Sequence, residues 1–274
     1  MIKDILVFLD DGKSNHDRVN TAVELAIRHG ANLTGAVLGS MKPVHAPDAD
    51  EKAIARMSER MAEKTLDHFT TITRDARLDI SSLTIYGDSA SSAVKMAHYA
   101  RNYDLVILRQ PNPARDNYDR MQEFARQVLL LSGRPVYFMP YTGSSKTPVQ
   151  RVLIAWDGTP SVNRSVHDAI PLLRKAKDVC ILVVESKKQQ TEKQDVLVES
   201  LVKHLQNHEI KACMRKVNPG GNSVSAVIQN QVSEHNVDLL IMGGHGTPTL
   251  KQKVFGTVTA NLLSSMITPV LMSH

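Results

Sequence analysis

Aromatic residues make up only 4% of this 274-residue chain, and there is a single tryptophan, Trp156. A nucleic-acid surface stacks bases on rings and neutralises phosphates with clustered cations. The chain has neither the rings nor the Lys/Arg clusters interleaved with them, which argues against a nucleic-acid partner. Its formal charge of +5 is spread thinly, as suits solubility and a tolerance for anionic ligands. Cysteine is scarce too. Cys180 and Cys213 both fall in strand-like segments, which suits small buried side chains in a reducing compartment better than a disulfide framework. No apolar stretch reaches the roughly 18 residues of a membrane span, and Met1-Ile2-Lys3-Asp4 leads directly into a short strand pattern without a signal-peptide profile. These absences predict a cytoplasmic protein with no membrane partner. The length predicts about two domains, with apolar content for a core in each.

What the chain does contain is alternation. Ile5 to Leu9 is a continuous apolar run ending in Asp10-Asp11-Gly12, the pattern of a strand buried on both faces and followed by a turn. From His16 to His29 the positions Val19, Ala22, Val23, Ala26 and Ile27 recur at three and four and predict a helix stopped by Gly30. Leu33 to Leu38 predicts a strand. A helix from about Asp48 to Ile72 follows, with Ala53, Met57, Met61, Ala62 and Leu66 on its inner face. Ser81 to Ile85, Asp104 to Leu108 and Pro135 to Met139 complete five strands, with helices through Ala93, Val94 and Ala97 and from Met121 to Leu131. Such alternation calls for a parallel sheet covered on both faces by right-handed crossovers.

Thr142 to Pro148 is a polar stretch with Gly and Pro, read as a linker between a first domain at 1–141 and a second at 149–274. Beyond it the pattern repeats. Arg151 to Gly158 echoes Ile5 to Gly12, Asp178 to Val184 echoes the second strand, and Gly220 to Val227 echoes Gly87 to Val94. Asp238 to Met242 answers Asp104 to Leu108 in the same register that sets Pro269-Val270 against Pro135-Val136, which marks an internal duplication.

The second half carries a motif that the first lacks. Gly243, two residues, Gly246, nine residues and then Gly256-Thr257 follow the apolar run Asp238 to Met242, and Thr268 to Met272 supplies a last strand. Gly243 and Gly246 can take positive φ and let a ligand approach the main chain, while Gly256, Thr257 and Val258 can aim free N–H groups of a helix start at an anion. The hydroxyls of Thr257 and Thr259 add donors. No Walker A loop and no Gly-x-Gly-x-x-Gly fingerprint is present. The spacing resembles the nucleotide-binding signature of the universal stress protein family, in its ATP-binding subclass, and the resemblance covers essentially the whole chain.

That resemblance implies two tandem flavodoxin-like domains of the adenine nucleotide alpha hydrolase-like kind, each an α/β unit with a five-stranded parallel sheet in the order 3-2-1-4-5. It implies an adenine nucleotide, ATP with Mg²⁺, in a crevice between the strands ending at Trp156 and Met242. Main-chain groups of Ala155 and Val184 match the positions that frame adenine, Met242 would pack against the base, and Asp157 would accept from a hydroxyl or amine. Asp157 reads equally as a cap of its own turn, and Trp156 as core or ligand wall. Gly244, His245 and Gly246 lie in the glycine loop, where His245, Lys251 and Lys253 could bring a cation to the γ-phosphate. Gly256, Thr257, Val258 and Thr259 form the helix start. Opposite Gly243, Gly246, Gly256 and Thr257 the first half has Arg109, Asn112, Gln122 and Glu123. Side chains there would crowd the backbone and the carboxylate would repel phosphate, so one nucleotide site per chain is expected.

Other clusters are weaker. His204 and His208 are four apart without a His-Glu-x-x-His pattern, Ser161, Ser165 and His167 form no Gly-x-Ser-x-Gly elbow, and Asp10 and Asp11 are merely adjacent. No catalytic or metal-binding set emerges. The resemblance implies a regulatory, stress-related nucleotide binder whose relatives often pair as dimers. A slow ATPase or phosphotransferase and a nucleotide-free scaffold acting through dimerisation are the rival readings.

Overall fold

An apolar run such as Asp4–Phe8 offers no polar face to water, so it is stable only when covered on both sides. The computed structural model, which describes residues 1–40, 51–87, 89–142, 148–185, 192–244 and 256–274, gives it that cover. Two units, Met1–Ser144 and Ser145–His274, divide the chain. The linker expected at 142–148 falls largely on residues outside those described.

In the first unit β1 (Asp4–Phe8), β2 (Asn32–Ser40), β3 (Ile80–Tyr86), β4 (Leu105–Arg109) and β5 (Val136–Met139) alternate with α1 (Asn15–His29), α2 (Glu51–Thr73), α3 (Ser89–Ala100) and α4 (Tyr118–Ser132). The second unit repeats the scheme with β6 (Arg151–Ala155), α5 (Pro160–Leu173), β7 (Asp178–Val184), α6 (Glu192–Asn207), β8 (Ala212–Val217), α7 (Val224–Glu234), β9 (Leu239–Gly243), α8 (Thr257–Ser265) and β10 (Val270–Ser273). The strand orders are β3-β2-β1-β4-β5 and β8-β7-β6-β9-β10, with every pairing within a unit parallel. Both match the α/β fold and the 3-2-1-4-5 order expected from sequence. Ile5, Leu6 and Val7 in one centre, and Leu153 and Ile154 in the other, are almost wholly buried.

The duplicated Asp at the head of β4 and β9 does the same work in each unit. Asp104 Oδ2 accepts from the amides of Lys3 (2.7 Å) and Asp4 (3.2 Å). Asp238 Oδ2 accepts from those of Gln150 (3.0 Å) and Arg151 (2.9 Å). Each carboxylate thereby ties the start of the central strand to its neighbour.

Three details differ from the sequence reading. Along α1, Ile27 is exposed and Leu25 is buried instead, while Arg18 and Thr21 join the buried stripe. Along α2, Met57 and Met61 are exposed, as is Ala53, and the buried stripe is Ala62, Thr65, Phe69 and Thr73. Third, the cysteines are not both buried. Cys180 is half-buried and Cys213 exposed on the edge strand β8, where they are register partners. Burial, the hydrogen bond with Cys213 and the charge of that thiol push Cys180 up to about 12, so it is a poor nucleophile. No helix among the described residues is long and apolar enough to cross a membrane.

Replacing Asp238, 4% exposed, by Ala would leave two strand-leading amides without their acceptor. The expected loss is about 2–4 kcal/mol, from the strength of hydrogen bonds to a charged group. Asp238→Asn, which keeps an acceptor oxygen, should lose clearly less. Urea unfolding followed by the fluorescence of Trp156, the only tryptophan, measures both.

Candidate functional site

In a doubly wound sheet successive crossovers diverge where the strand order reverses, opening a crevice beyond the C-terminal strand ends. In the second unit that point lies between β6 and β9, paired through Val152 with Leu239 and Ile154 with Ile241. Continuing that register sets Ala155 level with Met242 and Trp156 with Gly243. Ala155 pairs with Leu182, so Val184 stands two residues further out along β7. Ala155, Val184 and Gly243 are half-exposed at this edge, whereas Met242 is buried.

From β6 the chain turns sharply into α5. Gly158 takes φ 75°, a conformation that a side chain disfavours. Asp157 Oδ1 accepts from the amide (3.0 Å) and hydroxyl (2.7 Å) of Thr159, and Thr159 in turn caps α5 at Val162 with Pro160 following. Asp157 is therefore the turn cap that its sequence allowed. It is also exposed, which leaves the carboxylate within reach of a ligand.

Gly243 is glycine for a reason other than the left-handed backbone expected. It closes β9 as a strand residue, and Gly158, Gly220 and Gly221 are the positive-φ glycines of this unit among the described residues. A Cβ at Gly243 would lie 2.9 Å from the amide nitrogen of Val162 and 3.1 Å from Cβ of Ser161, so its absence lets the start of α5 press against the strand end. Gly244 donates its amide to Ser273 O at 2.9 Å. Ser165 secures the same junction. Fully buried, its hydroxyl donates to the carbonyl of Met242 (2.8 Å) or Ser161 (3.0 Å) and accepts from the amide of Ser273 (2.8 Å). Sequence reasoning considered Ser165 only as a nucleophile and missed this bracing, which the spacing of three serines could not reveal.

Two groups at the crevice remain open. α8 begins at Gly256, which has φ −55° and ψ 150° and no side chain to cap the helix, so the first-turn N–H groups of Thr257, Val258 and Thr259 keep the anion-seeking character of a helix start. Thr257 is exposed, whereas Thr259 is 3% exposed, which leaves Thr257 as the surface hydroxyl of the pair. Trp156 is buried, yet its indole Nε1 has no hydrogen-bond partner among the described residues, an arrangement that costs free energy unless an acceptor arrives. His245 and Gly246, with Lys251 and Lys253, lie outside the described residues.

The sequence model of the Universal stress protein family matches residues 148–274. The second unit belongs to that family. Over nearly the full length, the chain shares its fold with a universal stress protein from Archaeoglobus fulgidus DSM 4304, at 16% identity, TM-score 0.73, and 98% and 97% coverage of the two chains. A functionally unknown protein from Pseudomonas aeruginosa PAO1 aligns at 14% identity and TM-score 0.61, covering 98% of this chain and 92% of its own. The cytoplasmic domain of a prokaryotic cation chloride cotransporter aligns at 14% identity and TM-score 0.55, covering 100% and 96%. No curated protein sequence matches the chain.

Set against this universal stress protein unit, the first unit fills the equivalent strand ends with ions. Arg109, opposite Gly243, places Nε 3.4 Å from Asp10 Oδ2, and the fully buried Arg18 reaches the same oxygen at 3.1 Å. Arg18 also donates to Phe8 O and Asn15 Oδ1, while Gly12 donates its amide to Asp10 Oδ1. Burial by itself would raise the Asp10 carboxyl, but Arg18, Arg109 and the Gly12 amide outweigh it and hold the group below its ordinary range. Glu123, expected to repel phosphate, is bonded to Arg126 and Gln127 of its own helix. The His204 ring packs against His167 of α5 at a centroid separation of 4.8 Å and meets His208 edge-on at 4.7 Å. Among the described residues no group of His, Cys, Asp or Glu is placed to hold a metal.

Gly243→Ala should destabilise the second unit by about 1–3 kcal/mol through overpacking against α5, read by urea unfolding without any ligand. Asp10→Asn leaves two arginines facing each other and should cost about 3–5 kcal/mol at neutral pH. Because the folded carboxyl titrates below its usual 3.8, its contribution is full above that pH and fades as the pH falls through the lower folded value. The variant should therefore lose less stability than the parent below about pH 4, measured by circular dichroism across that range.

Proposed function

We propose that the chain is a regulatory adenine-nucleotide-binding protein that holds ATP, with Mg²⁺ on the phosphates, at one site in its universal stress protein unit. The observation that carries this reading is the start of α8 at Gly256 and Thr257, which no side chain caps, in the unit where the buried Trp156 N–H has no partner among the described residues. Helix-start amides suit phosphate oxygens. The half-exposed main chain at Ala155 and Val184, with Met242 behind it, suits an adenine ring, and Asp157 is exposed for a hydroxyl or amine of the ligand. Bound Mg²⁺ would neutralise polyphosphate charge. The glycine loop, including Gly244, His245 and Gly246, is read as the phosphate side of the pocket.

A binding role is favoured over phosphoryl transfer because transfer needs an oriented nucleophile and charge stabilisation beyond phosphate contacts. The carboxylate at these strand ends, Asp157, is bonded to its own turn. Occupancy would be reported through conformation or through self-association of the chain.

Thermal unfolding with and without ATP and Mg²⁺ tests this. Ligand at about a hundred times its dissociation constant adds about 2.7 kcal/mol, which for a unit of this size raises Tm by roughly 5–10 °C. The rise should vanish in Gly256→Val, whose backbone angles are open to valine. Gly243→Val is unsuitable because it clashes with α5 whatever binds. No rise in the parent chain would sink the nucleotide reading and leave the scaffold. ADP accumulating in the recovered ligand would move the protein to the slow ATPases.

A further inference from the structure

The first unit lacks the glycine signature, yet its strand ends are not closed. A cavity of about 300 Å³ opens beyond β1, β2 and β4. Its wall is apolar, formed by Leu9, Val37, Ala62 and Met121, all buried. Its lining also carries charge, with Arg109, Arg115 and Arg120 against Asp10 and Asp11. Asp10 is already neutralised by Arg18 and Arg109, so the arginines leave an excess of positive charge at the cavity.

Two further groups on this lining have no hydrogen-bond partner among the described residues. Arg120 is half-buried, and its Nε is enclosed without a hydrogen-bond partner among the described residues. Asn117 occupies the N-cap position of α4 but makes no capping bond, and its Oδ1 is likewise enclosed and unpartnered. The start of a 15-residue helix therefore adds its own positive end to the arginines. The enclosed Arg120 N–H left unmade costs free energy that the acceptor oxygens of a bound anion would recover. Desolvation also lowers the Arg120 pKa, in keeping with a cation awaiting a counter-charge.

We infer that this cavity is a second ligand site, for a small amphipathic organic anion whose apolar body lies on the Leu9–Met121 wall and whose carboxylate or phosphate head is gripped by Arg115 and Arg120. It is unlike the glycine-cradled site of the second unit, because guanidinium forks and not backbone amides meet the anion. Guanidinium suits both head groups through paired N–H donors. The volume falls at the lower end of small-molecule pockets, about 300–1,000 Å³. The inference does not depend on nucleotide binding in the second unit.

Isothermal titration of the full chain with octanoate, octyl phosphate and inorganic phosphate tests it. At least one of the two amphipathic anions should bind with a dissociation constant of about 1 mM or tighter, a modest affinity for a specific site, and the tighter of them names the head group. Arg120→Gln and Arg115→Gln should each weaken that binding about tenfold, the ordinary worth of a charge-assisted hydrogen bond. Neither side chain makes a hydrogen bond or ion pair among the described residues, and circular dichroism checks that both variants fold. Glu123→Gln, on the same helix but off the lining, should bind as the parent does. The inference is overturned if neither amphipathic anion binds, if binding survives unchanged in both arginine variants, or if inorganic phosphate binds as tightly as octyl phosphate.

Discussion

Every strand in each unit runs the same way, and the rest of the structure follows from that. A parallel strand cannot return by a tight turn, so each connection must cross a face of the sheet, and a helix is the connection that satisfies its own backbone. All strands then release the chain at one edge, and all helices begin there. A row of helix N-termini beside a row of strand ends makes that edge the place where anions are welcome, before any particular side chain is chosen.

The two units share this frame and differ in what occupies its edge. At one position in the register stands Gly243, whose missing Cβ lets α5 press against β9, and at the other stands Arg109, which joins a buried network with Asp10 and Arg18. Buried ions are weak contributors to net stability but strong specifiers of geometry, since removing one partner strands the others. At this position the first unit therefore has a charged, side-chain-built network and the second a strand end pressed against α5. A duplicated fold thus supplies two chemically distinct surfaces without altering its core, where Asp104 and Asp238 still bind the same pair of amides at the head of the central strand.

Much of this was legible in the residues. Continuous apolar runs between helical patterns bury both faces in a parallel sheet, so strand number and duplication followed from Ile5–Leu9, Asp104–Leu108 and their echoes, while the strand order came from the family resemblance. Helix faces were less legible. Periodicity says that α2 has an apolar stripe, but which of its residues meet the sheet is settled by the assembled unit, where Ala62 and Phe69 are buried and Met57 and Met61 are not. The sequence also marked Gly243 as special while suggesting the wrong cause, because a close approach between residues far apart in the chain has no local signature. Ser165 and Arg18 were invisible for the same reason. A serine that braces two strand ends and an arginine buried by an aspartate look, in one dimension, like any surface serine and arginine.

What the sequence by itself determined is the repeating strand-and-helix order, its parallel topology and the presence of a glycine-rich edge in the second half, since these depend on local pattern and on which faces must be buried. What only the tertiary structure decided is the use of each edge residue. It bonded Glu123 to Arg126 along its helix, set Arg120 and Asn117 around a cavity, and enclosed the N–H of Trp156, with no hydrogen-bond partner among the described residues for the Arg120 Nε, the Asn117 Oδ1 or that N–H. Such outcomes depend on distances between segments far apart in the chain. Chain order constrains those distances only through the packing of the whole unit.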